Sequence, residues 1–463
     1  MKKHECISAH ILENIQSGNM LPNEKLPSLR EMANIFQVSI GTVQSAYDSL
    51  EHDNFIYSIP KKGYFVLGVN ERFKAVSPLI DFFSGSLDTR NIPIHDIQQC
   101  MLKAINLYTT QAYRYTAPQG HKDLLKIMKT HLEGYQVYTD TDNIVMVSGS
   151  QQALDILCRM PFPNGKDKVL VEQPTYYGVL KSLEVNNTPR EGIKRGFEGL
   201  SLQELDRIFH YDNIKFFYTI PRFHNPTGQS YTIEEKQAIV KLAKKYNVYI
   251  VEDDIAADFD TSNKRCPLHY YDIHDHVIYI KSFSKIVQPG LRIAAIVLPQ
   301  LLLNTFIDFH RWTDTQCATL SQSTLAIYLS SGMFKKNTKM IRDIYVKRMA
   351  KLQEIADTLN DNDIEWSIPD SGFYACMKIN KEIQFDQIQL ELLKNRICLM
   401  DTRMFFLNEF KNNNYLRISI SKANEDEIAL GINKLVKIIK NHLFDESIDA
   451  PKYKEHFDLD WIY

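Results

Sequence analysis

"YIKSFSKIVQPGLRIAAIVLP", from Tyr279 to Pro299, sets two serines and a lysine between two strand-like apolar runs. The first run ends in Ser282-Phe283-Ser284-Lys285, a Pro-Gly turn follows, and Arg292 starts the second strand. Lysine is rarely buried without a partner, so Lys285 is either a surface residue on a connecting loop or a group with a chemical task.

The flanking sequence gives the loop its setting. Apolar, β-rich runs at 143–148, 168–174, 214–220, 247–254, 276–284 and 291–299 alternate with helical stretches. One such helix is "TIEEKQAIVKLAKKY", where Thr232 and Glu235 stand at capping-box spacing. This alternation predicts an α/β fold with a largely parallel sheet, whose ligands collect at the carboxyl ends of the strands.

Those strand ends carry chemistry. Gly149-Ser150-Gln151 open a helix, where free backbone N–H groups favour an anion. Taken alone, Ser150 reads as an ordinary N-cap. Tyr176 follows the second run, Asn225 sits in the turn-rich "PRFHNPTG", and Asp253 ends "NVYIVED". With Ser282, Lys285 and Arg292 they form an anion cradle, an aromatic face, a donor, a carboxylate and an amine. That set suits pyridoxal 5'-phosphate: the aldehyde needs an amine, the ring nitrogen an anionic partner, and the phosphate needs donors.

Composition sets outer limits. A chain of 463 residues exceeds one ordinary core, so two or three domains are expected. A net charge of −2 gives no whole-protein attraction for nucleic acid or a membrane. No run is long and apolar enough to span a bilayer, and the N-terminus lacks a secretory h-region. Seven scattered cysteines without a C-x-x-C pair argue against a zinc or redox motif and for a reduced, cytoplasmic compartment. No metal site is expected.

Residues 1–70 have a different texture. Ser28 and Glu31 form a capping box before "LREMANIF", and Ser39 can cap "IGTVQSAYDSLEHD" after a tight break. Strand-like runs on either side of Lys61-Lys62-Gly63 suit a hairpin wing. The pattern fits either DNA binding or a small helical oligomerisation domain. Six basic residues face seven acidic ones here, so phosphate attraction must come locally from Arg30, Lys61 and Lys62.

This segment resembles the winged helix-turn-helix of the GntR family, with Pro27, Ser28, Arg30, Ser39, Thr42, Val43, Gly63 and Val66 at matching places. Ile40 stands where that family usually has an arginine, which removes a phosphate or base contact. Residues 80–445 resemble the fold-type I aminotransferases, through Ser282-x-Ser284-Lys285, Gly290-Leu291-Arg292 and Asn225-Pro226-Thr227-Gly228. The resemblance implies a pyridoxal-phosphate-dependent transferase fold: a large domain with a mostly parallel sheet and a small α+β domain. It further implies that Lys285 is the catalytic lysine, Asn225 contacts the pyridine hydroxyl, Asp253 pairs with the ring nitrogen and Tyr176 stacks. Ser150 and Gln151 match its phosphate loop, Tyr115 a tyrosine reaching the phosphate from a neighbouring subunit, and Arg417 the substrate-carboxylate clamp. Where the family usually has a tyrosine two residues after the aspartate, this chain has Ile255; the hydroxyl is lost unless another tyrosine supplies it.

The combination is similar to the MocR subgroup of GntR-family regulators. The expected organisation is a DNA-binding domain at 1–70, a linker at 71–80, an aminotransferase-like domain at 81–450 and an unassigned tail at 451–463. The expected function is a dimeric transcriptional regulator that binds an operator on double-stranded DNA. It would sense an amine or amino-acid effector through an external aldimine, with weak or no transaminase turnover. The alternative is a cytosolic aminotransferase with a vestigial N-terminal domain, which Ile40 and the acidic balance favour. Sensing of pyridoxal phosphate itself is a third reading, disfavoured by Arg417.

Overall fold

In the computed structural model the first 66 residues are organised by their caps. Ser28 Oγ accepts from the Glu31 backbone N–H, and Glu31 Oε2 accepts from the Ser28 N–H at 2.7 Å, closing the capping box. Helices α1 (Lys3–Gln16), α2 (Leu29–Phe36) and α3 (Ile40–His52) precede strands β1 (Ile56–Ile59) and β2 (Gly63–Val66). The hairpin is antiparallel, pairing Ile56 with Val66 and Ile59 with Gly63. Ile7, Ile11, Met32, Val43, Tyr47 and Ile56 meet in a small core of its own.

The structure describes residues 3–52, 55–60, 62–67, 79–107, 117–262, 265–359, 362–381, 383–411 and 414–444. Lys61, Tyr115 and the tail at 451–463 lie outside them. The chain divides into two units, Met1–Pro78 and Leu79–Tyr463. Leu79 and Ile80, read above as the end of a linker, therefore belong to the larger unit, because β3 (Ile80–Asp81) pairs with a strand there.

In that unit, β4 (Ile144–Val147), β5 (Lys168–Gln173), β6 (Arg190–Gly196), β7 (Gly199–Leu200), β8 (Ile214–Thr219), β9 (Tyr249–Asp253), β10 (Val277–Ser282) and β11 (Ala294–Val297) form one sheet. Its order is β4-β11-β10-β9-β8-β5-β6-β7, and the four pairs from β10 through β6 are parallel. Val145, Val171 and Val251 fill a core on one face, while Leu170, Phe217 and Ile250 fill another on the opposite face. Burial on both faces explains why these strands read as continuous apolar runs. Strand β6, "REGIKRG", escaped that reading: its charged, glycine-bearing sequence lacks such a run and lies near the sheet edge.

A smaller antiparallel sheet, β12 (Ile364–Ser367), β13 (Tyr374–Ile379) and β15 (Tyr415–Ser419), has β13 at its centre. Strand β14 (Ile397–Cys398) pairs with β3, setting Ile397 beside Ile80. The long helices Met333–Leu359 and Glu425–Phe444 belong to this α+β part. A large part with a mostly parallel sheet and a smaller α+β part are both present, as expected.

Candidate functional site

Strand direction assembles the site. Strands β4, β5, β8, β9 and β10 deliver their carboxyl ends to one sheet edge, and antiparallel β11 begins there. Ser282 pairs with Ala294, and Ala294 with Val147, so the start of β11 and the end of β4 are adjacent. Arg292 does not start the strand, contrary to the sequence reading. A short helical turn at Pro289–Leu291 precedes it, and Arg292 closes that turn in a left-handed conformation, φ +47°. The guanidinium reaches back, and its Nη2 donates to the Ser148 carbonyl at 3.3 Å.

Gly149 makes room for it. Its φ is +95°, and a Cβ there would lie 2.5 Å from Arg292 Nη2. Gly149, not Ser150, is the N-cap of the helix Ser150–Arg159, so the Ser150 hydroxyl is not spent on capping. Ser150, Ser282 and Arg292 border one cavity of about 670 Å³. Together with the helix N-terminus they form a cradle shaped for a phosphate. Gln151 also borders the cavity, but its Nε2 donates to Gly178 O and Ser182 Oγ, both at 2.9 Å.

Tyr176, Asn225, Asp253, Lys285 and Arg417 line the same cavity, so nine of the residues read from the sequence converge. Asp253 Oδ2 accepts from Tyr218 Oη at 2.8 Å, while buried Oδ1 has no hydrogen-bond partner. Burial pushes this carboxyl up from 3.8 to about 7, against the lowering effect of Tyr218 and Lys285. A protonated pyridine nitrogen is the partner that would return it to the carboxylate. This orphaned acceptor, opposite a phosphate cradle and an amine, fits pyridoxal phosphate. The next acid, Asp254, is consumed elsewhere: Arg222 Nη2 and Tyr279 Oη donate to it at 2.5 and 2.7 Å.

Arg417 lies on β15, which pairs with the central strand β13, and is 3% exposed. Its Nη1 donates to Asn225 Oδ1 at 3.2 Å and its Nη2 to the Phe83 carbonyl at 2.5 Å. Burial depresses its pKa, although Tyr374 and Tyr177 act the other way. A planar fork in such a place suits a carboxylate. Lys285 Nζ donates a short hydrogen bond to the Gly85 carbonyl.

Sequence reasoning missed several cavity residues. Tyr374, Gly85, Met400 and Lys422 line it, and Tyr218 supports Asp253 from behind. None carries a local signal; each is brought in by the small sheet, the β3 segment or the neighbouring strand. Ile255 also faces the cavity and offers only methyl groups.

In the smaller unit, Ser39 Oγ accepts from the Thr42 N–H at 3.2 Å and hydrogen-bonds Thr42 Oγ1 at 2.8 Å, so Ser39 caps α3 and Thr42 lies in its first turn. Arg30 and Lys62 are exposed, and Ser28 serves its capping box. Ile40 is 48% exposed at the head of α3. Lys25, not singled out from sequence, lies against the wing: a Cβ at Gly63 would be 3.1 Å from its Cε.

Comparison with known proteins agrees with both halves. Residues 77–435 match the family described as aminotransferase class I and II, and residues 3–66 match the bacterial regulatory proteins of the gntR family. The chain belongs to the class I and II aminotransferase family and carries a GntR-family helix-turn-helix domain ahead of it, the arrangement of the MocR type. An uncharacterised HTH-type transcriptional regulator of Bacillus subtilis, YcxD, is 38% identical over 451 residues, covering 96% of this chain and all of the relative. Aromatic-amino-acid aminotransferase 1 of Thermococcus litoralis is 25% identical, covering 81% of this chain and 92% of that protein. Among solved structures, Pyrococcus horikoshii kynurenine aminotransferase, in complex with PMP, superposes with a TM-score of 0.74 at 25% identity. That match covers 80% of this chain and 93% of the other.

Proposed function

We propose that this protein is a pyridoxal-phosphate-dependent, DNA-binding transcriptional regulator whose effector is a primary amine or amino acid. One observation carries the reading: a cavity with Lys285, orphaned Asp253 and the Arg417 fork occurs in a chain that also folds a capped winged helix-turn-helix.

Pyridoxal phosphate, when bound, supplies an aldehyde that exchanges one primary amine for another. Arg292, Ser282 and Ser150 hold its phosphate, Tyr176 covers the ring, and Asp253 holds the ring-nitrogen proton. Asn225 orients Arg417, which takes the effector's carboxylate when there is one. The effector shifts DNA binding only by binding two conformations with different affinity. Turnover is weak or absent in this proposal, because Ile255 brings no hydroxyl to the reacting end.

Arg30, Lys62 and the first turn of α3 form the DNA-facing side of the smaller unit; Lys61 keeps the phosphate-attracting role that its charge gives it, and Tyr115 the role that the resemblance gives it. The protein works as a homodimer, a reading supported by the exposed Ile94, Leu102 and Leu107 along one helix and by Trp312, 84% exposed. Binding to chromosomal DNA places it in the cytoplasm. Among the described residues no helix is long and apolar enough to cross a membrane.

The complete set of Lys285, Asp253 and Arg417 also favours the second reading, a working aminotransferase with a vestigial N-terminal domain. Absorbance of the cofactor-loaded protein, recorded with a panel of amines and amino acids, separates the two. A band that shifts and persists with one compound, and changes affinity for DNA, supports the regulator. Rapid bleaching restored by a keto acid, with no DNA affinity, overturns it.

A further inference from the structure

The head of α3 offers DNA carbon rather than charge. No lysine or arginine lies anywhere in this helix, "IGTVQSAYDSLEH". The polar side chains around its first two turns are engaged within the unit. Ser39 and Thr42 share a hydrogen bond, and Ser45 Oγ donates to the Gly41 carbonyl at 3.0 Å. Gln44 Nε2 donates to Asp48 Oδ1 at 2.6 Å and to Tyr64 Oη at 2.9 Å. Between Leu26 and Leu50 every large apolar side chain belongs to the small core or lies half-buried against it, except Ile35 and Ile40. Ile35 lies in the last turn of α2, whereas Ile40 is the first residue of α3 and 48% exposed. Its neighbour Gly41 has no side chain to hold a base edge away; the side-chain atom nearest to where a Cβ would lie is Ser39 Oγ, at 3.9 Å.

We propose that Ile40 reads the C5-methyl group of a thymine in the major groove, which fixes one A·T pair of the operator. This rests on reading the smaller unit as DNA-binding. A helix that follows a tight turn enters the groove with its N-terminal residues against the base edges. The thymine methyl is the apolar group that those edges display, whereas guanine offers two acceptors and cytosine a donor. Isoleucine packed against either of the latter displaces water from a polar group and returns no hydrogen bond. The same side chain therefore favours thymine and disfavours a G·C pair. Arg30 and Lys62 supply charge, which carries no sequence information of its own.

The test uses the full-length protein supplied with pyridoxal phosphate, which first selects its preferred duplex from a random pool. Each thymine of that duplex is then replaced in turn by deoxyuridine, which keeps every hydrogen-bonding atom and lacks only the methyl. One such replacement should weaken wild-type binding about fourfold, the transfer value of a single methyl group. The ratio should be the same at low and high salt, because no phosphate contact changes. Ile40→Ala shortens an exposed side chain and should bind the two duplexes within about 1.5-fold of each other. With cytosine at that position, 5-methylation should restore about fourfold in wild type and little in Ile40→Ala. Ile40→Arg, put through a fresh selection, should enrich guanine there instead. A wild type indifferent to every thymine methyl overturns the proposal. So does an Ile40→Ala that keeps the full deoxyuridine penalty, since the methyl would then act through another residue or through duplex stiffness. Absence of affinity for any duplex at low salt is a different result, and it overturns the DNA-binding reading together with the proposal.

Discussion

Replacing Asp253 with asparagine should stabilise the cofactor-free protein above neutrality, although it removes a residue of the site. The folded-state carboxyl is raised from 3.8 to about 7 by burial, with Oδ1 left unpartnered. Below the unfolded value both states are protonated and Asp253 contributes nothing to the pH dependence. Between 3.8 and about 7 the unfolded chain ionises while the folded chain keeps its proton, so stability falls as pH rises. Above that range the deficit is constant, at most about 4 kcal/mol for three units. The asparagine variant has no such titration, and its carbonyl still accepts from Tyr218. Its advantage over wild type should grow by about 2.5 kcal/mol between about pH 5 and about pH 8.

Urea unfolding followed by tryptophan fluorescence is the assay. Trp312 and Trp366 belong to the larger unit, so their signal reports the part that holds Asp253. Pyridoxal phosphate should reverse the ranking, because only the carboxylate can pair with a protonated ring nitrogen; the variant's cofactor affinity should fall roughly 10- to 100-fold. Parallel pH profiles for the two cofactor-free proteins would refute the argument, since Asp253 would then titrate as an exposed acid.

Other expectations are simpler. Arg195→Met strands Glu172, which is 0% exposed and held near 2 by Arg195 and His224 against its burial; urea unfolding should show a loss of about 3–5 kcal/mol. Gly149→Ala puts a methyl 2.5 Å from the Arg292 guanidinium. It should weaken binding of pyridoxal phosphate while leaving that of phosphate-free pyridoxal nearly unchanged, as read by fluorescence titration. Lys62→Ala and Arg30→Ala should each lower the salt slope of duplex DNA binding by about one, uniformly across sequences. An unchanged slope in both would mean that the DNA contacts lie elsewhere on the smaller unit.

Much of this protein is legible along the chain. The capping boxes at Ser28–Glu31 and Thr232–Glu235, the wing hairpin and five strands of the main sheet all appear within one residue or two of their predicted positions. Each obeys a rule carried by neighbours in sequence: a side chain satisfies an N–H three residues on, or an apolar run is buried on both faces. The site residues at strand ends are legible for a related reason, since a parallel sheet sends all its carboxyl ends to one edge. Tertiary structure decided what local rules cannot. Adjacent Asp253 and Asp254 look alike in sequence, yet alternation along β9 turns one to the cavity and the other to Arg222. Charged β6 becomes a strand because β5 and β7 offer it partners on either side. Tyr374 reaches Gly85 because a second sheet brings it there, a contact set by packing between distant segments and therefore written in no single stretch of the chain.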